Sequence, residues 1–293
     1  MKIKQNIILI AGPTASGKTS HAIRLAQEND AVIINTDSMQ VYSDLQILTA
    51  RPDKQELASA PHFLFGHVDG FKPYSVAGWL ADVSQLMELD EIAAGSIIFV
   101  GGTGLYFNAL LEGLSPVPDI APQIRGKWRG LGRTQSGEIL HSHLTAIDPK
   151  MAYHLDPSDR QRIVRALEVM EGTGRSLSYW QAKEGKPVLN LHTEIRKILL
   201  MPERSLLHER INMRFDQMVE EGALQEVEAL LERKLPDNVS IMKAIGVPQF
   251  RDYLTGEVSL EEAIEKAKTA TRQYAKRQCT WFNNSFGEGW EVL

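Results

Sequence analysis

The chain has 293 residues, 43% of them hydrophobic and 24% charged, with a formal net charge of −5 and one cysteine. A chain of this length buries a substantial core in one large or two unequal domains, and its ordinary composition excludes disordered and membrane-embedded classes. No apolar run approaches the roughly 20 residues that span a bilayer. Cys279 alone excludes an internal disulfide and a cysteine-cluster zinc site, so a reducing cytoplasm is the expected setting.

The N-terminus, MKIKQNIILIAGPTASGK, resembles a signal sequence in placing lysines before an apolar run. That run is too short and leads into a glycine-rich turn, so the pattern predicts a buried strand over 3–10 and a helix over 17–28. The stretch AVIINTDSMQVY at 31–42 predicts a second strand whose apolar core stops at Ile34 and leaves Asp37 at its carboxyl end. The stretch SIIFVGGTGLYF at 96–107 predicts a strand, a glycine turn and a helix. Strands alternating with helices imply an α/β fold, a parallel sheet with helices on both faces, with ligands beyond the carboxyl ends of the strands.

After Gly113 the proline-rich SPVPDIAP at 115–122 marks a crossing into another module. From about 121 to 185 the periodicity is helical, including Ile163, Leu167 and Met170 on one face between Asp159 and the Gly172-Thr173-Gly174 stop. The expected organisation is a core of 1–118 and 190–293 with a small all-helical insertion at 119–189. The sheet resumes with a strand at 195–201. An amphipathic segment follows at 204–234, with Leu207, Ile211, Phe215 and Met218 on one face, Arg210 and Arg214 beside them, and a break at Gly222. The last helix opens at a capping box, Ser259 with Glu262, and runs to about Phe282. Its expected seam is Ile264, Ala267, Thr271, Tyr274 and Trp281, flanked by Lys268, Arg272 and Lys276. Basic clusters at 125–133, 160–165 and 272–277 weigh towards a nucleic-acid surface despite the acidic average.

Gly12-Pro13-Thr14-Ala15-Ser16-Gly17-Lys18-Thr19 satisfies the phosphate-loop pattern G-x-x-x-x-G-K-[ST] between a predicted strand and a predicted helix, which makes the core P-loop NTPase-like. In such a loop the backbone amides turn inward onto phosphate oxygens, Lys18 adds a point charge, and the Thr19 hydroxyl can complete the shell of a Mg²⁺ ion. The loop reads phosphates alone, so ATP, GTP and a non-nucleotide diphosphate are all admissible. The strand at 97–100 ends in Gly101-Gly102-Thr103 with no acid to hold a metal. The acid on this rim is Asp37, placed to act as a general base, to touch a metal, or to cap the following helix. Thr103 either bonds a leaving phosphate or closes its turn. Arg214 either neutralises a departing diphosphate or lies on the surface.

Together these residues resemble a family. GPTASGKT at 12–19, TDSMQVY at 36–42, APHFLFG at 60–66, YSVAGW at 74–79, GGTGLYFNALLEGL at 101–114, DPSDRQRIVRALEV at 156–169, HERINMRFDQM at 208–218 and ATRQYAKRQCTWF at 270–282 resemble the bacterial tRNA dimethylallyltransferases over nearly the whole chain. The resemblance implies transfer of a dimethylallyl group from dimethylallyl diphosphate to the exocyclic amine of the adenine 3′ of the anticodon, with Mg²⁺ as cofactor and the tRNA anticodon stem-loop as partner. It implies no membrane partner and a monomer. The phosphate loop would hold the prenyl diphosphate, Asp37 would be the general base, Thr103 would line the substrate channel, and Arg214 would assist the diphosphate. Asp37, Ser38, Met39 and Gln40, with Arg125, Gln161, Arg162, Ile163, Val164 and Arg165, fall where the family contacts tRNA. The chain departs from the family in 241-IMKAIGVPQF-250, where Val247 and Pro248 replace an expected tyrosine and arginine, so no tRNA contact is assigned there. The alternatives are an adenylate isopentenyltransferase acting on free AMP or ATP, a P-loop small-molecule kinase, and a non-catalytic RNA-binding module.

Overall fold

The computed structural model describes residues 6–93, 95–189 and 194–293. Residues 3–5 of the expected first strand, and the expected module boundary at Asn190, lie outside them. Six parallel strands are described: β1 (Asn6–Ala11), β2 (Ala31–Asn35), β3 (His62–Phe63), β4 (Ser96–Gly101), β5 (Glu194–Leu199) and β6 (Trp290–Val292). They form one sheet in the order β3-β2-β4-β1-β5-β6. The expected strands at β2, β4 and β5 are present within one or two residues and the end of β1 within one, whereas β3 and β6 are too short to carry a periodic signal.

Near-continuous apolar runs suit strands covered on both faces. Alternate residues of β1 and β4, Ile8, Ile10, Ile98 and Val100, pack with Ala22, Leu25 and Ala26 of the helix Lys18–Asn29. The opposite face presents Phe99 to Trp79 of the helix Val76–Met87, and Trp79 stacks on Tyr106 of the helix Gly104–Glu112. The expected arrangement, helices on both faces of a parallel sheet, is therefore present.

A further core joins Val41, Tyr42, Leu45 and Val68 to Phe215, Met218, Val227, Phe250 and Ala267. The amphipathic segment is two helices, Arg204–Glu220 and Ala223–Glu232, separated at Gly222. Glu226 ties the second of them to the preceding chain by accepting from the backbone N–H groups of Gln46, Ile47 and Leu48. Val247 is fully buried in this core, and Pro248 occupies the first turn of the helix Val247–Leu254, where its missing N–H costs nothing. Val247 and Pro248 thus serve the core and the helix start.

The last helix, Leu260–Ser285, begins at the expected capping box. Its buried seam is Ala263, Ala267, Lys268, Thr271, Ala275, Gln278 and Phe282, which keeps Ala267 and Thr271 of the expected one and corrects the rest. Ile264, Tyr274 and Trp281 are only partly buried. Lys268, placed by pattern on the exposed basic flank, lies largely inside, with its ammonium 2.7 Å from Asp216 and 3.1 Å from Glu265.

The described chain divides into two compact units, one running up to Leu111 and resuming at Val188, the other spanning Glu112–Pro187. The second is wholly helical, comprising Pro122–Thr134, Gly137–Ile147, Pro149–Tyr153, Arg160–Thr173 and Leu177–Gln181. Its core gathers Trp128, Leu140, Leu144, Ile163, Leu167 and Val169, and Val117 packs against it, so the linker before 119 goes with the helical unit. Asp159 caps the helix Arg160–Thr173 by accepting from Arg162 N–H, and Gly174 ends it in the left-handed region, as the pattern predicts. Among the described residues no helix is long and apolar enough to cross a membrane.

Candidate active site

The phosphate loop connects β1 to the helix Lys18–Asn29. Gly17 initiates that helix with φ 88°, a conformation open to glycine. Unlike the helices that begin behind Ser75, Ser136, Asp159 and Ser259, this one has no side-chain cap, and its first turn carries no acid. Its first amide groups and the positive end of its dipole are left to an anion. Among the described residues the buried Ser16 hydroxyl has no hydrogen-bond partner, and Lys18 folds back so that Nζ donates to Pro13 O at 2.6 Å. Burial pushes the Lys18 ammonium down to about 8; Asp37 opposes that shift and Arg214 adds to it.

Asp37 lies two residues beyond the end of β2, in a turn fixed on all sides. The buried Asn35 side chain accepts from Asp37 N–H at 2.9 Å and donates to Asp37 O at 2.9 Å and Leu64 O at 3.0 Å. The Asn35 carbonyl accepts from Trp79 Nε1 at 2.8 Å. Asp37 Oδ1 accepts from Met39 N–H at 2.9 Å and Gln40 N–H at 3.4 Å, so the carboxylate closes its own turn rather than capping a helix. Among the described residues Oδ2 receives no hydrogen bond and faces Gly102, a Cβ on which would lie 3.3 Å away. Gly101 admits the adjoining turn, because a Cβ there would stand 2.1 Å from Thr36 O. The phenols of Tyr106 and Tyr274 are held protonated well above their ordinary value, by burial first and the Asp37 charge second.

Thr103 joins β4 to this turn: its hydroxyl accepts from Ser38 N–H at 3.0 Å and donates to Ser38 Oγ at 3.3 Å. Arg214 arrives on the helix Arg204–Glu220, with its guanidinium donating to Thr14 Oγ1 in the phosphate loop. Burial draws the Arg214 pKa below its ordinary value against the pull of Asp37, and a guanidinium keeps its charge through such a shift. Arg210, one turn earlier, is exposed.

The structure therefore gathers Gly12, Pro13, Thr14, Ala15, Ser16, Gly17, Lys18 and Thr19, Asp37, Thr103 and Arg214 at the carboxyl ends of β1, β2 and β4. Pattern reading missed two residues here. Asn35 is a buried amide at the tip of an apolar strand, and Gln278 is a polar residue inside a helix seam that calls for an apolar one. Both irregularities were the available signals.

On the helical unit, Gln161 and Arg162 are exposed, and Arg125, Val164 and Arg165 are half-buried. Ile163 is 0% exposed in the unit's core. That corrects the expectation of an RNA contact by its side chain, which has no surface to offer.

A parallel sheet whose strand tips bring together a phosphate loop, a carboxylate, a hydroxyl and a half-buried guanidinium defines a P-loop α/β protein. The IPP transferase family model matches residues 40–285, and the isopentenyl transferase model matches residues 5–64. The chain belongs to the IPP transferase family. It is 54% identical to a tRNA dimethylallyltransferase of Chelativorans sp. over 97% of both chains. It is similar to a full-length tRNA isopentenylpyrophosphate transferase crystal structure from Bacillus halodurans, with TM-score 0.69 and 35% identity over 99% of this chain and 90% of that one. A eukaryotic dimethylallyltransferase acting on tRNA gives TM-score 0.82 and 30% identity over 99% of this chain and 73% of that one.

Proposed function

We propose that this protein transfers a dimethylallyl group from dimethylallyl diphosphate to the exocyclic N6 amine of the adenine 3′ of the anticodon in tRNA, releasing diphosphate. The observation that carries the reading is the convergence of a phosphate loop and Arg214 on one side with the unpaired Asp37 Oδ2 on the other. A kinase would need the first group alone. An RNA-binding module would need neither. The relatives named above span the helical unit as well as the sheet, and nothing found supports free AMP as the acceptor.

In the proposed reaction the adenine leaves its stack so that N6 reaches the strand tips. N6 forms a bond to the allylic C1 as the C1–O bond to the diphosphate breaks, and Asp37 Oδ2 takes the N6 proton. The amides of the phosphate loop, Lys18 and Arg214 receive the negative charge that grows on the departing diphosphate. Thr103 holds the Ser38 backbone, and with it the turn that carries Asp37.

Among the described residues no group of three or more His, Cys, Asp or Glu is placed to hold a metal ion. The donor set fits an ion held mainly through diphosphate oxygens, with the Thr19 hydroxyl as the protein's ligand. Mg²⁺ so held would supply further charge neutralisation on the leaving group. Ser38, Met39 and Gln40 on the Asp37 turn, with Arg125, Gln161, Arg162, Val164 and Arg165 on the helical unit, are proposed to contact the anticodon stem-loop, largely through its backbone.

Incubation with labelled dimethylallyl diphosphate, Mg²⁺ and unmodified tRNA is expected to label the tRNA. Label on AMP but never on tRNA would instead establish the mononucleotide acceptor, and phosphate transfer from ATP a kinase.

A further inference from the structure

Gln278 is 6% exposed in the seam of the helix Leu260–Ser285, among Thr271, Ala275 and Phe282. Both ends of its amide are used. Oε1 accepts from Thr14 N–H at 2.9 Å, and Nε2 donates to Gly102 O at 2.8 Å. A Cβ on Gly102 would stand 2.3 Å from that Nε2, so the side chain is pressed onto the turn. One residue thus bridges the phosphate loop, which ends β1, and the glycine turn, which ends β4.

Two consequences follow from the bonding. The Thr14 N–H is committed to the protein, so a bound diphosphate is met by the remaining loop amides and Lys18. Thr14 is also held twice, by Gln278 at its nitrogen and by Arg214 at its hydroxyl. On the other side Gly102 borders Asp37 Oδ2 and precedes Thr103. The Gln278 amide therefore ties the phosphate loop to the turn that borders the carboxylate.

We propose that Gln278 is a positioning residue of the transfer reaction: it holds the outer turn of the phosphate loop in the shape that binds the donor's diphosphate, at a fixed distance from the Asp37 turn. The identity of that donor rests on the function proposed above, but the clamp on the loop does not. A buried amide with both ends satisfied is costly to remove, because each partner loses a mate. Here the partners are parts of the anion site itself, so the loss reaches diphosphate binding.

The test uses the full-length protein with Gln278→Met, which keeps length and volume but makes neither bond, and Gln278→Glu, which keeps the acceptor and loses the donor. Affinity for inorganic diphosphate with Mg²⁺ is measured by calorimetry, and thermal unfolding reports folding. Gln278→Met is expected to weaken diphosphate binding about tenfold, as loss of a preorganising hydrogen-bonded clamp should. It should raise KM for dimethylallyl diphosphate by a similar factor and leave KM for tRNA within about twofold. Gln278→Glu should weaken diphosphate binding further, since it adds a carboxylate beside the anion. A folded Met or Glu variant that binds inorganic diphosphate as the wild type does would overturn the proposal, and so would a change confined to KM for tRNA. Should Gln278→Met fail to fold, Gln278→Asn, whose shorter amide adds no charge and cannot reach both Thr14 N–H and Gly102 O, decides by the same readout. A wild-type protein that binds inorganic diphosphate and leaves tRNA unlabelled would remove the proposed reaction while the clamp stands.

Discussion

Arg214 and Thr14 lie 200 residues apart, yet the guanidinium of one donates to the hydroxyl of the other. The contact brings a permanent cation to the lip of an anion site whose other cation, Lys18, sits inside the loop. Lysine and arginine are not equivalent in these places: one is a compact charge on a flexible stem, the other a rigid fork.

Arg214→Leu is accordingly expected to lower kcat by about 10² to 10³, the cost of removing one donor from a site of developing negative charge. Arg214→Lys should restore only a small part, because an ammonium does not reproduce the fork. Steady-state kinetics with saturating tRNA measures both, and full activity in the lysine variant would show that Arg214 supplies charge alone.

The two Asp37 oxygens differ in their surroundings, Oδ1 bonded to the backbone of its own turn and Oδ2 beside Gly102, and a pair of variants tests them separately. Asp37→Asn keeps an acceptor for the N–H groups of Met39 and Gln40 but removes the basic group. The rate should fall by roughly 10² to 10⁴ with tRNA affinity retained. Asp37→Ala frees the turn as well, and tRNA affinity should then fall too, as Ser38–Gln40 lose their anchor. Single-turnover rates and tRNA binding titrations distinguish these outcomes; an asparagine variant with intact chemistry but no tRNA binding would make Asp37 a docking residue.

Burial lowers the Lys18 pKa to about 8 in the free protein. The protonated form binds the diphosphate, so affinity for dimethylallyl diphosphate should be highest below pH 8 and decline above it. A bound diphosphate, fully ionised in this range, favours the ammonium and raises its pKa again. Binding between about pH 8 and 10 should therefore take up a proton. Calorimetry in buffers of different ionisation enthalpy detects that uptake, and Lys18→Arg should abolish it.

Arg162 is 72% exposed and makes one contact with Asp159 at 3.4 Å, whereas Arg165 donates to Glu168, a carboxylate only 2% exposed. Replacing either with alanine should flatten the salt dependence of tRNA binding by about one charge each. Arg162→Ala should leave thermal stability unchanged. Arg165→Ala should lower it, because Glu168 keeps only its 2.8 Å contact with Arg129. An unchanged salt slope in both variants would remove this helix from the RNA surface.

Much of this was legible in the chain because the signals were local. The strand at Ile7–Ile10 followed by Gly12–Thr19 places the anion site without reference to anything distant, and the caps at Asp159 and Ser259 mark helix starts by chemistry that acts within one turn. What escaped pattern reading depends on distant partners. β3 and β6 exist because neighbouring strands recruit two or three residues each. Lys268 is inside because Asp216, on another helix, meets it there. Gln278 and Asn35 look like ordinary polar residues until the backbone groups they serve are brought to them. Ile163 shows the converse: a residue inside a basic segment is not thereby a contact, since helical period turns it to the core.

The neck of the helical unit bears on how the sheet assembles. A Cβ on Gly113 would stand 2.4 Å from Lys186 N, and one on Gly185 2.6 Å from Glu112 O, so the outgoing and returning chains touch where the unit begins and ends. Once that unit has folded, the polymer separating β4 from β5 behaves as a short tether instead of a long loop, and the entropy of bringing β5 to the side of β1 falls accordingly. If the module collapses first it would serve as a staple for the nascent chain, and an alanine at Gly113, which forces the two chain segments of the neck apart, would slow registration of β5 beside β1.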